Sequence, residues 1–254
     1  MSENEQEKQQ KTMTRREFLR KSGYVAGGAV GGGILGGLIT SQVANRPGTK
    51  RPEQAQQQGE DFNRALMFFS KQEDFQILSD AAERIFPEDD LGPGAKKLGV
   101  PYFIDHQLAG AWGHNAREYM QGPFYDGTET QGYQSHLDRR EIFGQGISKI
   151  QAYSKETYDK PFTELSAEEQ DEVLTAFEEG KVEMQGITSK EFFDLLRSSV
   201  IEGAYADPLY GGNANMDGWR MKKFPGNQMS YTDRIESEFE EIEPRSLRAH
   251  MQQE

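Results

Sequence analysis

Apolar residues from Phe62 onward recur mostly at the three- and four-residue spacing of an α-helix, and the alternation typical of strands is nearly absent. Three stretches begin with the Ser/Thr-x-x-Glu pattern of a capping box, namely 70–73, 166–169 and 188–191. The first helix is predicted to end before Pro87 and the second at Gly180, and a fourth helix is predicted over residues 135–153. The pattern therefore predicts a mainly α protein with a single helical domain over residues 62–230.

Two long stretches, 87–108 and 204–226, separate the predicted helices and combine Gly and Pro with aromatic residues. Loops of this length are uncommon unless they are functional or disordered, and so many aromatic residues argue against disorder. Both stretches are therefore predicted to be long ordered loops. An acidic tail, residues 231–254, follows the second and is predicted to be exposed to solvent.

The second loop carries the residue types that make a loop rigid. Asp207 and Pro208 predict the start of a turn, and Gly211, Gly212 and Asn213 are predicted to adopt positive φ angles. Trp219 and Phe224 are expected to fix the loop to the core. The same aromatic side chains could instead face a partner, and the two roles are compatible.

The N-terminus has the pattern of an export signal. A polar arm leads to Arg15-Arg16 and then Phe18-Leu19, and an uncharged run over 22–44 contains eight Gly. This Ser/Thr-Arg-Arg-x-Phe-Leu pattern resembles a twin-arginine signal, which a receptor reads as an address. Residues 1–44 are therefore predicted to be a signal that directs a folded protein out of the cytoplasm.

The uncharged run leaves two outcomes open. Its 23 residues could span about 30 Å of hydrocarbon as a helix, so retention as a membrane anchor is one outcome. Cleavage is the other, although no position near Ala44 has small residues at both −3 and −1. Residues 45–61 are predicted to be a flexible polar linker to the helical domain.

Charge and composition exclude several classes of function. The formal net charge is −13, and no basic patch is seen beyond the N-terminus, which argues against nucleic-acid binding because phosphate contacts need a basic face. The chain has no cysteine, which excludes disulfides, thiolate zinc sites and iron–sulfur clusters.

No catalytic or metal-binding pattern stands out. Residues 213–218 match the first half of a calcium loop, but Phe224 stands where the bidentate Glu is required. No His follows a Glu by three residues, and neither a G-x-S-x-G elbow nor a phosphate-binding Gly motif is present in the helical domain. Two alternatives stay open: a hydrolase in which Asp90, Asp105 and Asp207 converge, and a stand-alone binding module outside the cell.

Several short motifs together resemble a known family. They are Phe86-Pro87, Leu91-Gly92-Pro93-Gly94-Ala95, Gly99-Val100, Phe103-Ile104-Asp105, Glu169-Gln170, Glu202-Gly203, Asp207 to Asn213, Gly218-Trp219 and Phe224-Pro225-Gly226. Over residues 70–226 the chain resembles subunit 3, the small or gamma subunit, of membrane-bound gluconate 2-dehydrogenase and related FAD-dependent sugar dehydrogenases.

The resemblance implies a non-catalytic role. In such complexes a GMC-type flavoprotein large subunit holds FAD and oxidises the sugar, and a cytochrome subunit often passes the electrons onward. The small subunit supports maturation, export and stability of the large one and binds no cofactor itself. The expected partners are therefore the flavoprotein, a cytochrome subunit, the twin-arginine translocase and the membrane. The expected location is the outer face of the cytoplasmic membrane or the periplasm.

The candidate residues form two groups. Arg15, Arg16, Phe18 and Leu19 are the predicted export signal. The predicted docking or loop-structuring residues are Pro87, Asp105, Asp207, Pro208, Tyr210, Gly211, Gly212, Asn213, Trp219, Phe224 and Pro225.

Overall fold

The structure, a computed structural model, describes residues 64–125, 127–128, 131, 134–237 and 240–251. The predicted export signal, with Arg15, Arg16, Phe18 and Leu19, and the predicted linker lie outside the described residues. The described ranges are mainly helical, as predicted, and contain no β-strand. None of their helices has the length and apolar content that crossing a membrane requires.

Seven α-helices lie in the described ranges. They are α1 Gln72–Ile85, α2 Val100–Ala109, α3 Arg139–Tyr158, α4 Ala167–Glu178, α5 Ser189–Tyr205, α6 Asp217–Met221 and α7 Arg248–Met251. Single 3₁₀ turns occupy Phe162–Glu164, Pro208–Tyr210, Ala214–Met216 and Thr232–Arg234.

Two of the three predicted capping boxes are confirmed. Ser166 caps α4 and Thr188 caps α5, each exchanging hydrogen bonds with the Glu three residues later. The third prediction is wrong, because α1 begins after Lys71 rather than Ser70 and has no side-chain cap. The segment before α1 is held instead by Asp105, whose carboxylate binds backbone N–H groups of residues 67–69.

The helix predicted over residues 135–153 is α3, and it begins four residues later than predicted, at residue 139 instead of 135. Asp138 caps α3: its side chain accepts a hydrogen bond from Glu141 N at 2.9 Å, and Glu141 accepts one from Asp138 N at 3.0 Å. An Asp at the cap forms the same reciprocal pair as Ser or Thr.

The prediction of a loop over 87–108 is wrong in its second half, where α2 lies. Pro101 stands in the first turn of α2, where a missing N–H breaks no helical hydrogen bond, and Gly99 caps the helix with a φ of +73°. Val100, Ile104 and Leu108 then share one buried face. The Gly and Pro content of residues 87–108 therefore predicts a loop, although the apolar residues of the second half have helical spacing.

The core is built around α5, which packs against α1, α2, α3 and α4. Aromatic rings join three of these helices, because Phe143 of α3 and Phe177 of α4 each lie 5.8 Å from Phe192 of α5, edge to face. All three side chains are fully buried. The C-terminal half of α5 also contacts the second loop.

The acidic tail is exposed over residues 231–237 but not throughout. Residues 244–247 are half-buried, because Arg245 N donates to Pro225 O at 3.2 Å and Asn227 N donates to Arg245 O at 2.6 Å. This part of the tail returns to the end of the second loop and satisfies its backbone groups, which corrects the prediction of a wholly solvated segment.

Candidate docking surface

The second loop is tied together by Asn213, which is completely buried. Its Nδ2 donates to Ala206 O and its Oδ1 accepts from Gly218 N, both at 2.8 Å. The residue adopts a left-handed backbone with φ of +47°, which Asn tolerates better than most residues. One amide therefore joins the beginning of the loop to its end.

Asp207 forms the predicted turn and also binds the C-terminal tail. Its Oδ1 accepts from Leu209 N at 2.9 Å and caps the 3₁₀ turn that begins at Pro208. The same carboxylate accepts from Ser246 Oγ and Leu247 N, both at 2.8 Å. Asp207 therefore fastens the returning tail to the loop.

The two adjacent glycines serve different purposes. Gly211 has the predicted positive φ, +97°, whereas the same prediction for Gly212 is wrong. Gly212 is required for space, because a Cβ there would lie 2.2 Å from the carbonyl oxygen of Gly203 in α5. The loop backbone thus lies directly against the helix.

Trp219 attaches the loop to the end of α5. Its ring is buried, and its Nε1 donates to Tyr205 O at 2.8 Å. Phe224 packs edge to face on this ring at 5.4 Å but is 48% exposed, so it covers Trp219 from outside. Pro225 is half-buried beside it.

The two predicted loops lie against each other. Ala214 N donates to Leu98 O at 3.0 Å, and the rings of Phe86 and Tyr205 meet edge to face at 5.9 Å. The Lys222 ammonium lies 3.8 Å from the centre of the Tyr205 ring, a cation–π contact. We call residues 86–93, 201–210 and 221–225, together with Phe103 and Gln107 of α2 beside them, the paired-loop surface.

Apolar side chains project from this rigid frame. Leu91, at the tip of a turn that Asp89 caps, is 80% exposed, and Tyr210 and Ile201 are 50% and 41% exposed. Two open grooves of ≈600 and ≈310 Å³ adjoin these side chains, and Tyr205 lines both. Pro87 is exposed at the rim of the smaller groove.

Two of the three acidic residues that could have formed a catalytic centre, Asp105 and Asp207, are used for structure, and the third, Asp90, is exposed. The Asp105 carboxylate is buried and accepts three backbone hydrogen bonds at 2.6–3.1 Å, and that of Asp207 also accepts three. Within the described residues, no group of three or more His, Cys, Asp and Glu side chains could hold a metal ion. What the arrangement offers chemically is an apolar, preformed contact surface.

Sequence reasoning missed the contribution of α2 and α5 to this surface. Phe103 and Ile201 line the larger groove beside Tyr210. Ile201 carried a detectable signal, because it falls outside the buried stripe that includes Leu196 and Val200 in α5. An apolar residue off the buried stripe of an amphipathic helix is a candidate for contact with a partner.

Comparison with curated proteins and with solved structures gave no match. Residues 72–226, in contrast, match the model of a family described as gluconate 2-dehydrogenase subunit 3. The match confirms the resemblance, and it includes both halves of the paired-loop surface. The chain therefore belongs to the gluconate 2-dehydrogenase subunit 3 family.

Proposed function

We propose that this chain is a non-catalytic accessory subunit of an exported, FAD-dependent gluconate or sugar dehydrogenase complex. The paired-loop surface docks on the flavoprotein subunit, which carries the FAD and performs the oxidation. The observation that carries the proposal is the exposure of Leu91, Tyr210 and Ile201 on a rigid frame inside the region that matches the family. Two carboxylates that could support catalysis, Asp105 and Asp207, are occupied by backbone N–H groups and, at Asp207, also by the Ser246 hydroxyl.

Docking would stabilise the flavoprotein by mass action, because a partner that binds only the folded state shifts folding toward it. A permanent contact of this kind buries on the order of 2,000 Å² or more. The internal hydrogen bonds of Asn213 and Asp207 fix the loop beforehand, so little conformational entropy is lost when it binds.

The N-terminal segment gives the complex its route out of the cytoplasm. Arg15 and Arg16 present the twin-arginine address, and the folded complex, with FAD already in the partner, is carried with it. The uncharged run then holds the complex at the outer face of the cytoplasmic membrane, or is removed to release it into the periplasm. A cytochrome subunit accepts the electrons.

The test is affinity purification of the full chain, tagged at its C-terminus, from native membranes in mild detergent. The eluate is measured for flavin absorbance and for sugar-dependent dye reduction. We expect flavin and activity to co-purify with the tagged chain. A colourless protein without dye reduction, obtained under these mild conditions, would contradict the proposal.

A substitution at the tip of the first loop locates the contact. Leu91→Glu should lower the co-purified flavin roughly five- to thirty-fold, the effect of losing about 1–2 kcal/mol at an interface. Tyr119→Glu is the matched control, because Tyr119 is equally exposed, at 80%, but lies outside the paired-loop surface. Equal losses for the two variants would place the contact elsewhere.

A further inference from the structure

The larger groove of the paired-loop surface lies between α2, the end of α5 and the 3₁₀ turn at Pro208–Tyr210. Its apolar walls are aromatic and aliphatic: Phe103, which is nearly buried, Tyr205, which is half-buried, and the exposed Ile201 and Tyr210. With a volume of ≈600 Å³ it is wide enough for a large side chain.

Two polar side chains in this groove have no partner within the described residues. The Glu202 carboxylate is exposed and makes no hydrogen bond or ion pair there, and the side-chain amide of Gln107 makes none either. Asp207, the other acid in the groove, is already engaged by three donors. The groove therefore offers one free negative charge beside aromatic walls.

We propose that this groove receives an arginine side chain from the flavoprotein subunit. The aliphatic part of the arginine packs between the aromatic walls, and its guanidinium donates to the Glu202 carboxylate and the Gln107 Oε1. The inference rests on the proposed function and adds the chemistry by which the partner is recognised.

Arginine fits these groups better than lysine does. Its planar guanidinium forms two parallel hydrogen bonds to a carboxylate, stacks on aromatic rings and is more weakly hydrated than an ammonium group. The formal net charge of −13 adds a long-range field that favours a basic patch on the partner.

Other occupants fit the charge less well. A second copy of this chain carries the same formal net charge of −13, so like-charge repulsion opposes docking of one copy on another. An anionic lipid surface or an acidic protein segment would be repelled by Glu202 and by the net charge. The single unpaired carboxylate therefore decides in favour of a cationic side chain.

The first test uses the native complex and reverses the charge at position 202. Glu202→Arg should lower the flavin that co-purifies with the full chain by about tenfold or more, and Glu202→Gln should give a smaller loss. Glu178→Arg is the matched control, because Glu178 is also exposed, unpaired within the described residues and in the last turn of its helix, α4. We expect the control to stay within about twofold of the unchanged chain.

Because Glu202 is exposed, both of its variants should keep the thermal unfolding midpoint of the unchanged chain, which is measured alongside. If Glu202→Arg and Glu202→Gln retain as much flavoprotein as Glu178→Arg, the inference is overturned while the proposed function stands. If the unchanged chain itself retains no flavoprotein, the proposed function has failed.

The second test identifies the residue that enters the groove. A photoreactive benzoylphenylalanine replaces Tyr210 at the groove rim, or Tyr119 as the control outside the surface, and the cross-linked flavoprotein peptide is sequenced. We expect a cross-link from position 210 only, to a peptide that contains arginine. A cross-linked peptide without arginine, or a cross-link from position 119 alone, would overturn the inference.

Discussion

Asp105 is completely buried in α2, and its carboxylate accepts hydrogen bonds from the N–H groups of Met67, Phe68 and Phe69 at 2.6, 3.1 and 2.9 Å. A buried carboxylate is tolerated only when it is well hydrogen-bonded, and here backbone donors take that role. Sequence reasoning could mark Asp105 as a candidate but could not find its partners, because they lie 36–38 residues away along the chain.

Asp105→Asn removes the charge and turns one acceptor into a donor that faces a backbone N–H. We expect the free energy of unfolding to fall by roughly 2–3 kcal/mol, because hydrogen bonds to a charged group are lost and a buried donor is left without a partner. Urea unfolding of the purified full chain measures this change. Asp90→Asn is the control, because Asp90 is exposed, and equal midpoints for the two variants would contradict this account.

The sequence predicts a helix start correctly where the capping interaction is formed by residues close together along the chain. The caps at Ser166 and Thr188 were predicted because their partners lie only three residues away. The start of α1 was predicted wrongly because Asp105, a distant residue, holds the preceding segment. The Gly and Pro content of residues 87–108 hides α2, because Pro101 is typical of a loop but stands here in the first turn of the helix, where proline is accepted.

The paired-loop surface was predictable only in part, for a related reason. The residues that make the second loop rigid, such as Asn213 and Trp219, are recognisable by type. Which apolar side chains stay exposed depends on how two loops and the end of α5 pack together. Leu91 and Ile201 were therefore not identified as contact residues.

Two glycine-to-alanine substitutions test the packing of the second loop on α5 separately from the intrinsic stability of α3. Gly212→Ala should destabilise the protein by about 1–3 kcal/mol, because the Cβ would lie 2.2 Å from a backbone oxygen of α5 that cannot easily move. Gly144→Ala should stabilise it by about 0.5–1 kcal/mol, because Gly144 is inside α3 with nothing within 4 Å of the new Cβ. Thermal unfolding of both variants measures the two shifts, and shifts of the same sign would contradict the packing described for the loop.

In the molecule as a whole, two aspartates of the family region hold the segments that flank it. Asp105 binds residues 67–69, which precede the match at 72–226, and Asp207 binds Ser246 and Leu247, which follow it. His106 strengthens the first contact, because its Nε2 lies 2.8 Å from Ala65 O. Residues 65–69, which lead toward the predicted export signal, are therefore fixed to the folded domain.

The predicted export signal should then carry the flavoprotein as well as this chain. Replacing Arg15 and Arg16 together by Lys keeps the charge but removes both guanidinium groups, whose planar donors an ammonium cannot reproduce. We expect sugar-dependent dye reduction in the membrane and periplasmic fractions to fall by about tenfold or more, because a receptor reads this address. The complex should still form in the cytoplasm, since the paired-loop surface is unchanged. Arg46→Lys with Arg51→Lys in the linker is the matched control, and activity exported equally by both double variants would show that the flavoprotein leaves the cytoplasm by another route.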